Sequence, residues 1–342
     1  MSLRSEINKI LLENNYDPYN YDLDILYDSG RKYIYKHIEN YYDKNYPIDT
    51  VLKSLFTEGI ILYLKNNGKS IVDVLVEQKT KEIKEKSEKI SQKSKEISDS
   101  IKYAKSLQLS ILPPLSKISE YLKDYFIFYR PKDIIGGDFY WFEKKDNYLI
   151  FSVSDCTGHG VPGGMVSLIC SSALDKTINE LNILDTNKIL DKTSDIVVES
   201  FNKNGQSIND GMDIILCKFD TISKKLYFSG ANRPLWLIRD GILEEYKTDK
   251  RPVGKYYETK SFTSQTITIK NGDILYLSSD GYGDQFGGTD DSKFKTSKFK
   301  QILLENKDLN TEEQCKILEE TFLNWKGDNE QTDDICIFGI KF

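Results

Sequence analysis

Residues 148–163 have the sequence YLIFSVSDCTGHGVPG, and this segment decides the fold class. Its first part, 148–154, is an apolar run with aromatic and β-branched side chains, which is typical of a buried strand that Asp155 ends. Two helical patterns follow, over Val161–Glu180 and Asn187–Asn202, before any further strand. Because strands and helices do not alternate strictly, antiparallel sheets packed with helix pairs are favoured over a doubly wound parallel sheet.

The same mixture of strands and helix pairs continues on both sides of this segment. The other predicted strands are Tyr125–Arg130, Ile214–Phe219, Leu226–Ser229, Leu235–Arg239, Thr263–Ile269, Ile274–Ser278 and Ile335–Ile340. Two further helices are predicted at Lys293–Glu305 and Thr311–Trp325. The sequence therefore predicts an α+β fold for residues 120–342, an antiparallel β-sandwich flanked by helix pairs.

The region before the predicted sandwich has two parts. Residues 1–75 carry apolar side chains at helical spacing, most clearly over 48–64, and predict a small helical N-terminal module. Residues 76–112 are rich in Lys and Glu, and every seventh position is apolar: Val76, Ile83, Ile90, Ile97, Ala104 and Ile111. This repeat predicts a long linker helix that Pro113-Pro114 ends. The pattern fits a parallel dimeric coiled coil and a solvated linker helix equally well, because the second seam is polar up to Leu107.

Composition excludes several classes of protein. The chain has 342 residues and a net charge of -6, so it has no global attraction for nucleic acid. No apolar run approaches the ~20 residues that span a bilayer. The five cysteines are scattered through apolar runs, which predicts buried thiols in a reducing cytoplasm. With only two histidines and no C-x-x-C pair, a metal would need oxygen ligands, which Mg²⁺, Mn²⁺ and Ca²⁺ prefer.

Four acidic sites lie where a predicted strand begins or ends. Asp155 and Asp280 end strands, Asp333-Asp334 precedes the last strand, and Asp138 opens an aromatic run after two glycines. A single Asp at such a place is explained equally well as a turn or helix-capping residue. Strand ends can converge at one edge of a sheet, however, and neighbouring carboxylates repel one another unless a cation lies between them. The set therefore indicates a divalent-metal site as the alternative to separate turns.

A competing motif overlaps this region. Residues 158–163, GHGVPG, satisfy the G-x-G-x-x-G pattern of dinucleotide-binding turns and lie between a strand and a helix. A second helix follows instead of a parallel strand, and Asp155 would repel a pyrophosphate. Close approach of backbone segments is the better explanation for these glycines.

Five motifs occur in order along the chain: IGGDFY (135–140), VSDCTGHGVPG (153–163), GANRPL (230–235), SDGY (279–282) and QTDDI (331–335). With the segment from Ser100 to Pro114, they resemble the metal-dependent serine/threonine phosphatases of the PPM superfamily, in particular its bacterial SpoIIE and RsbU branch. The resemblance covers about residues 100–342. It implies two antiparallel sheets flanked by helices and a site for two divalent metal ions, Mn²⁺ or Mg²⁺.

The resemblance also implies the metal ligands. Asp155 would bridge the two ions, Asp138 and the backbone carbonyl of Cys156 would bind one, and Asp280 and Asp333 would bind the other. Asp334 is the alternative to Asp333. A hydroxide that bridges the metals would attack phosphorus in line with the leaving oxygen, so no protein nucleophile is needed. Cys156 stands where many members have Gly, which also leaves open a redox-sensitive thiol.

The remaining site candidates are less well defined. His159 lies four residues after Asp155, whereas the animal branch has its proposed acid histidine two residues after the bridging Asp, so a general acid and a helix-capping residue stay equally open. Arg130, Lys132 and Arg233 are candidates to bind the phosphoryl group, and a surface charge is the alternative for each.

The function implied is hydrolysis of phosphoserine or phosphothreonine on a regulatory protein, of which a phosphorylated anti-sigma-factor antagonist is the type seen in this branch. Residues 1–75 would act as a regulatory or sensor module, and the linker helix would form a homodimer and transmit control. A cytoplasmic location follows, without a nucleic-acid partner or a membrane span. The alternative is a non-catalytic signalling scaffold with the same fold, which would be expected to have lost metal acids, and none is missing here.

Overall fold

The structure is a computed structural model of the chain and describes residues 3–37, 48–66, 71–202, 209–256 and 260–342. It divides into two compact units, residues 1–97 and 98–342. Parts of the predicted N-terminal module, namely 1–2, 38–47 and 67–70, lie outside the described residues. No helix among the residues that the structure describes is long and apolar enough to cross a membrane.

The first unit is helical. Its helices are α1 (Leu3–Glu13), a 3-10 turn (Pro18–Asn20), α2 (Leu23–His37), α3 (Ile48–Lys65) and the first part of α4 (Ile71–Ile111). Apolar side chains from α1, α2 and α3 form its core, with Ile7, Leu11, Leu26 and Ile60 almost fully buried. The apolar spacing along these helices is what brings the buried side chains to one side of each.

Helix α4 has 41 residues and contains the whole of the seven-residue apolar repeat. Val76, Ile83, Ile90 and Ile97 are between 56 and 68% exposed. Lysine–glutamate pairs such as Lys86–Glu82 lie along its surface, at 2.6 Å between Nζ and Oε1. The apolar side chains of the predicted coiled-coil seam therefore form an exposed stripe. The domain boundaries at residues 75 and 120 remain predictions.

The second unit contains two antiparallel sheets. Its strands are β1 (Tyr125–Arg130), β2 (Phe139–Lys145), β3 (Tyr148–Cys156), β4 (Gly211–Asp220), β5 (Lys225–Ala231), β6 (Leu235–Arg239), β7 (Ile242–Tyr246), β8 (Val253–Gly254), β9 (Gln265–Thr268), β10 (Ile274–Ser278), β11 (Phe286–Gly287), β12 (Ser292–Lys293) and β13 (Ile335–Lys341). One sheet has the order β2-β3-β4-β5-β9 with β8 paired to β4, and the other has the order β1-β13-β10-β6-β7. Strands β11 and β12 form a separate pair.

Helices complete this unit. They are the short α5 (Leu115–Ser119), α6 (Gly160–Asp175) with a π-helical turn (Lys176–Glu180), α7 (Thr186–Asn202), the short α8 (Gly281–Asp284), α9 (Thr296–Glu305) and α10 (Thr311–Lys326). Helices α6 and α7 pack with the six-stranded sheet in one core that also contains residues from β10 and β13. Helices α9 and α10 pack in a second core with the outer side chains of the five-stranded sheet.

This architecture confirms the predicted α+β fold, with antiparallel sheets and an N-terminal helical region. Five strands fall outside the predicted set, namely β2, β7 and the two-residue strands β8, β11 and β12. Strand β2 begins with four consecutive buried residues, so it lacks the polar–apolar alternation that marks a half-exposed strand. Strand β7 lies at a sheet edge and has two adjacent glutamates among its five residues, which weakens its apolar signal.

Candidate functional site

Five sequence segments meet at one edge of the sandwich. Strands β3 and β10 end there, and β2, β4 and β13 begin there, because each pairs antiparallel with its neighbour. Asp155 near the end of β3 lies opposite Asp213 of β4 in the strand register. Asp280 follows β10, and Asp138 and Asp334 immediately precede β2 and β13. The topology thus brings together carboxylates that are up to about two hundred residues apart in sequence.

A cavity of about 250 Å³ opens at this edge of the sandwich. Its lining includes Asp155, Asp213, Asp280, Asp333, Cys156, His159 and Arg233. A larger cavity of about 550 Å³ beside α7 has none of the predicted site residues in its lining. Six of the predicted site residues therefore line the smaller, more acidic cavity, whereas Asp138, Asp334, Lys132 and Arg130 are not part of its lining.

Arg233 is the cation at the centre of this cluster. Its Nη2 lies 2.8 Å from Asp155 Oδ2, 2.6 Å from Asp280 Oδ2 and 3.5 Å from Asp213 Oδ2. Burial alone would lower the pKa of Arg233, but the charges of Asp155 and Asp280 outweigh it and raise that pKa. Burial raises the pKa of Asp155 to about 8, which Arg233 opposes and Asp280 reinforces. The single positive charge of Arg233 is therefore too small to neutralise the three carboxylates around it.

Asp138 is buried, at 2% exposure. Its Oδ2 atom has no hydrogen-bond partner. Burial, and then the nearby charge of Asp155, raise the pKa of Asp138 well above its usual value. A buried carboxylate oxygen without a donor is costly unless a cation satisfies it.

The adjacent acids Asp333 and Asp334 have different surroundings. Asp334 is buried, and its two oxygens accept the backbone N–H groups of Lys132 at 2.7 Å and Gly137 at 2.6 Å. Asp333 lines the cavity, and its Oδ1 accepts the backbone N–H of Asp334 at 2.8 Å. Asp334 therefore fixes the loop that carries Asp138, whereas Asp333 presents its carboxylate beside Asp280.

Cys156 contributes its backbone rather than its thiol to this edge. The side chain is 4% exposed, and burial raises the pKa of the thiol well above its usual value. A Cβ at Gly137 would lie 3.0 Å from the Cys156 carbonyl oxygen and 2.6 Å from that of Gly158. Only glycine lets the loop before Asp138 approach these carbonyls so closely.

His159 and Lys132 lie together at the rim. His159 Nδ1 is 3.1 Å from Asp133 Oδ2, and Lys132 Nζ is 3.2 Å from His159 Nε2. His159 precedes α6 but makes no capping hydrogen bond through its side chain. Arg130 is not brought to the cavity, because its Nε donates to Gln331 and its guanidinium lies 5.8 Å from the Phe322 ring centroid.

Three residues of this region are absent from the predicted set. Asp213 begins the apolar run of β4, and only strand pairing reveals that it faces Asp155. Asp133 is separated from His159 by 26 positions. Gln108 of α4 is 3% exposed and donates through Nε2 to the carbonyl of Gly136 at 2.5 Å and to Ser167 Oγ at 2.9 Å. Its polar identity on a mostly polar helix gave no signal for that role.

The donor set suits a hard divalent cation, since it consists of carboxylate oxygens and one backbone carbonyl. Within the part of the chain that the structure describes, no three Asp, Glu, His or Cys side chains are arranged so that they could hold a metal ion together. Arg233 instead occupies the space between Asp155 and Asp280. The unsatisfied oxygen of Asp138 and the excess of carboxylates over cations fit a site that takes up divalent ions.

Comparisons with known proteins agree with this fold. The sequence profile of the Stage II sporulation protein E (SpoIIE) family matches residues 145–342. The PP2C domain of SiaA from Pseudomonas aeruginosa is 30% identical over 73% of this chain and 98% of that one, with a TM-score of 0.66. A comparison with curated protein sequences finds no match.

Two other solved structures share the fold at lower identity. The PP2C phosphatase domain of SpoIIE from Bacillus subtilis, with a fragment of its regulatory domain, is 17% identical over 64% of this chain and 63% of that one, with a TM-score of 0.52. The RsbU and RsbW domains of a Mycobacterium tuberculosis protein are 18% identical over 64% and 59%, also with a TM-score of 0.52. The family profile covers more than half of the chain and the SiaA domain covers still more, so the chain belongs to the SpoIIE family of PP2C-type (PPM) phosphatases.

Proposed function

We propose that this chain hydrolyses phosphoserine and phosphothreonine on a regulatory protein and that it depends on two divalent ions, Mn²⁺ or Mg²⁺. The observation that carries the proposal is the convergence of Asp155, Asp280 and Asp333 on one cavity, with the buried Asp138 behind it. Carboxylates grouped in this way are stable together only when cations balance them.

The proposed ligands are those that the family resemblance implies. Asp155 would bridge the ions, Asp138 and the Cys156 carbonyl would hold one, and Asp280 and Asp333 would hold the other. We prefer Asp333 to Asp334 because both Asp334 oxygens already accept backbone N–H groups. When bound, the ions supply acidity to water and neutralise charge on the phosphoryl oxygens.

A covalent mechanism through Cys156 is disfavoured. Its thiol is buried, and its raised pKa keeps it protonated at neutral pH, whereas a cysteine nucleophile must be a thiolate. The metal-dependent route needs no protein nucleophile. This contrast supports hydrolysis by water over a phosphocysteine intermediate.

Two basic groups are placed to meet a phosphoryl group. Arg233 reaches into the cavity, and its planar guanidinium suits two phosphoryl oxygens. Lys132 lies at the rim beside His159. We propose that Asp133 accepts the Nδ1–H of His159 and orients the ring, so that Nε2, when it also carries a proton, can donate that proton to the leaving oxygen once substrate replaces Lys132 as its neighbour.

The substrate class rests on the family. We propose a phosphorylated signalling protein, such as an anti-sigma-factor antagonist, and a cytoplasmic site of action. A phosphoserine peptide with flanking residues is the suitable probe, because it tests the bond that breaks without assuming the identity of the protein.

The decisive variant is Asp155→Asn. Hydrolysis of a phosphoserine peptide in Mn²⁺ should fall at least about 10³-fold, because loss of a bridging ligand removes several kcal/mol of stabilisation. EDTA should abolish the parent activity, and Mn²⁺ should restore it. Asp220→Asn is the matched control, since Asp220 ends β4 far from this edge and bonds only to the turn at Ile222 and Ser223. Parent-like hydrolysis by Asp155→Asn would refute the proposal.

We further propose that α4 forms a homodimer and controls the site. The stripe of Val76, Ile83, Ile90 and Ile97 is exposed along one face, and a second copy could cover it as a coiled coil. At the other end of α4, Gln108 contacts the carbonyl of Gly136, two residues before Asp138. Gln108 and Gly136 thus link α4 to the loop that carries Asp138. A movement of this end of the helix would therefore shift a proposed metal ligand.

Ile90→Glu tests the control by α4. Placing a charge in the seam should convert a dimer to a monomer in sedimentation velocity and lower Mn²⁺-dependent hydrolysis several-fold. Ser91→Glu, one position away and outside the seam, should change neither quantity. A monomeric Ile90→Glu protein with parent activity would separate dimer formation from control, and a monomeric parent would exclude the dimer.

A further inference from the structure

Arg233 makes an unusual set of contacts for a residue proposed to bind substrate. A single nitrogen, Nη2, lies within 3.5 Å of oxygens from Asp155, Asp213 and Asp280, which come from three different elements. The side chain is 15% exposed. The guanidinium is thus committed to carboxylates rather than directed to solvent.

The backbone beneath Arg233 is held in place. The preceding residue, Asn232, has a positive φ of 56° and donates through its backbone N–H to the Asp249 carbonyl at 2.8 Å. Its Nδ2 donates to Asp213 Oδ1 at 2.8 Å, and Thr248 Oγ1 donates to the Arg233 carbonyl at 2.8 Å. The turn is therefore fixed on both sides, and any movement of the guanidinium must come from rotation of the side chain.

We infer that Arg233 competes with divalent cations for Asp155 and Asp280, and that its guanidinium must leave both carboxylates before a metal ion can bind between them. This inference rests on the proposed function, because it takes these two acids as metal ligands. Carboxylate oxygens lie about 2.0–2.1 Å from a bound Mg²⁺. The nitrogen now 2.6 and 2.8 Å from the same two oxygens occupies that position.

The charges and contacts of Arg233 and of a divalent ion explain why either cation can occupy the position between the two carboxylates. Arg233 brings one positive charge to three carboxylates, so it satisfies the cluster only in part. A divalent ion brings twice the charge at shorter distance but must displace two charge-assisted hydrogen bonds. The side chain would thus act as a resident cation that weakens the apparent affinity for metal.

The first test measures Mn²⁺ binding to the full chain by isothermal titration calorimetry. Removing the guanidinium in Arg233→Gln should tighten Mn²⁺ binding about tenfold or more, because the ion no longer displaces two charge-assisted hydrogen bonds. Arg233→Lys, which keeps the charge but loses the planar fork, should fall between the two. Arg239→Gln is the matched control, since Arg239 lies at the other end of β6 and pairs with Asp273. It should leave the Mn²⁺ affinity unchanged.

The second test needs no change in the site. The chain has six arginines, so side-chain signals of protein labelled with ¹⁵N-arginine are few enough to resolve, and the signal missing in Arg233→Lys identifies Arg233. Titration with diamagnetic Mg²⁺ should shift the Arg233 guanidinium signals in step with occupancy and leave those of Arg239 in place. Unmoved Arg233 signals at saturating Mg²⁺ would overturn the inference.

The outcomes separate this inference from the proposed function. If Asp155→Asn binds Mn²⁺ as well as the parent does, the proposed metal site itself is wrong. If Asp155→Asn loses binding while Arg233→Gln binds Mn²⁺ with parent or weaker affinity, only the competition is wrong. Tighter binding by Arg233→Gln together with lost binding by Asp155→Asn supports both.

Discussion

An arginine lies beside carboxylates at each end of the β6–β10 strand pair, but the number of carboxylates that each arginine must neutralise differs. At one end, Arg239 donates through Nε and Nη2 to the two oxygens of Asp273, at 2.9 and 2.6 Å. Asp273 is buried and also accepts the backbone N–H of Lys270 at 2.7 Å. At the other end, Arg233 is shared among three carboxylates, and its Nε has no partner.

The difference separates a structural ion pair from a site. An arginine matched to one buried carboxylate, with both carboxylate oxygens bonded, holds two strands in register. An arginine outnumbered by acids, beside a buried Asp138 oxygen without a donor, reduces folding stability and is retained where function needs it. The same strands therefore carry a stabilising end and a strained end.

Removing the ion pair at the stabilising end should have the largest effect on stability. Asp273→Ala leaves Arg239 without its partner and should lower the free energy of unfolding by about 3–5 kcal/mol, measured by urea denaturation. Hydrolysis in saturating Mn²⁺ well below the melting temperature should stay at the parent rate, because Asp273 lies away from the cavity. Asp308→Ala, which removes an exposed partner of Lys307, should change stability by no more than about 0.5 kcal/mol. Parent-like stability of Asp273→Ala would remove the distinction between the two ends.

Neutralising an acid at the strained end should have a smaller effect of opposite sign. Burial raises the pKa of Asp138 in the folded chain above its unfolded value, so the folded state binds a proton more readily, and the unfavourable contribution grows as pH rises above about 4. In EDTA at pH 8, Asp138→Asn should therefore raise the unfolding free energy by about 1–3 kcal/mol. The gain should vanish near pH 4, and Mn²⁺-dependent hydrolysis should be lost at both pH values. A less stable Asp138→Asn protein in EDTA would contradict the strain at this end.

Most of the fold and much of the site could be predicted from sequence because the signals are local. Strand β3 is an apolar run that Asp155 ends, and each of the other candidate acids sits beside a strand signal or a glycine. A rim of carboxylates followed from those positions without knowledge of the pairing. The family motifs then ordered the same residues into a ligand set.

The remaining features depend on pairing and side-chain direction. Asp213 becomes visible only when the register sets it opposite Asp155. Asp333 and Asp334 are neighbours in sequence, and only the hydrogen bonds of Asp334 to the backbone of Lys132 and Gly137 tell them apart. The committed contacts of Arg233 likewise arise from residues 20 to 78 positions away.

A last predicted effect is on metal affinity, and its pH dependence tests the contrast between the two ends. Because the pKa of Asp155 is raised to about 8, the carboxyl is protonated at lower pH, and a divalent ion must displace that proton. The dissociation constant for Mn²⁺ should fall at least about tenfold per pH unit between about pH 6 and pH 8, because the pKa of Asp138 is raised as well as that of Asp155. Calorimetry in two buffers of different ionisation enthalpy should count at least one proton released, and Asp273→Ala should give the same slope as the parent. A Mn²⁺ affinity that does not change with pH over this range would mean that Asp155 is already ionised. Arg233 would then neutralise the carboxylates of the strained end more fully than its three shared contacts suggest.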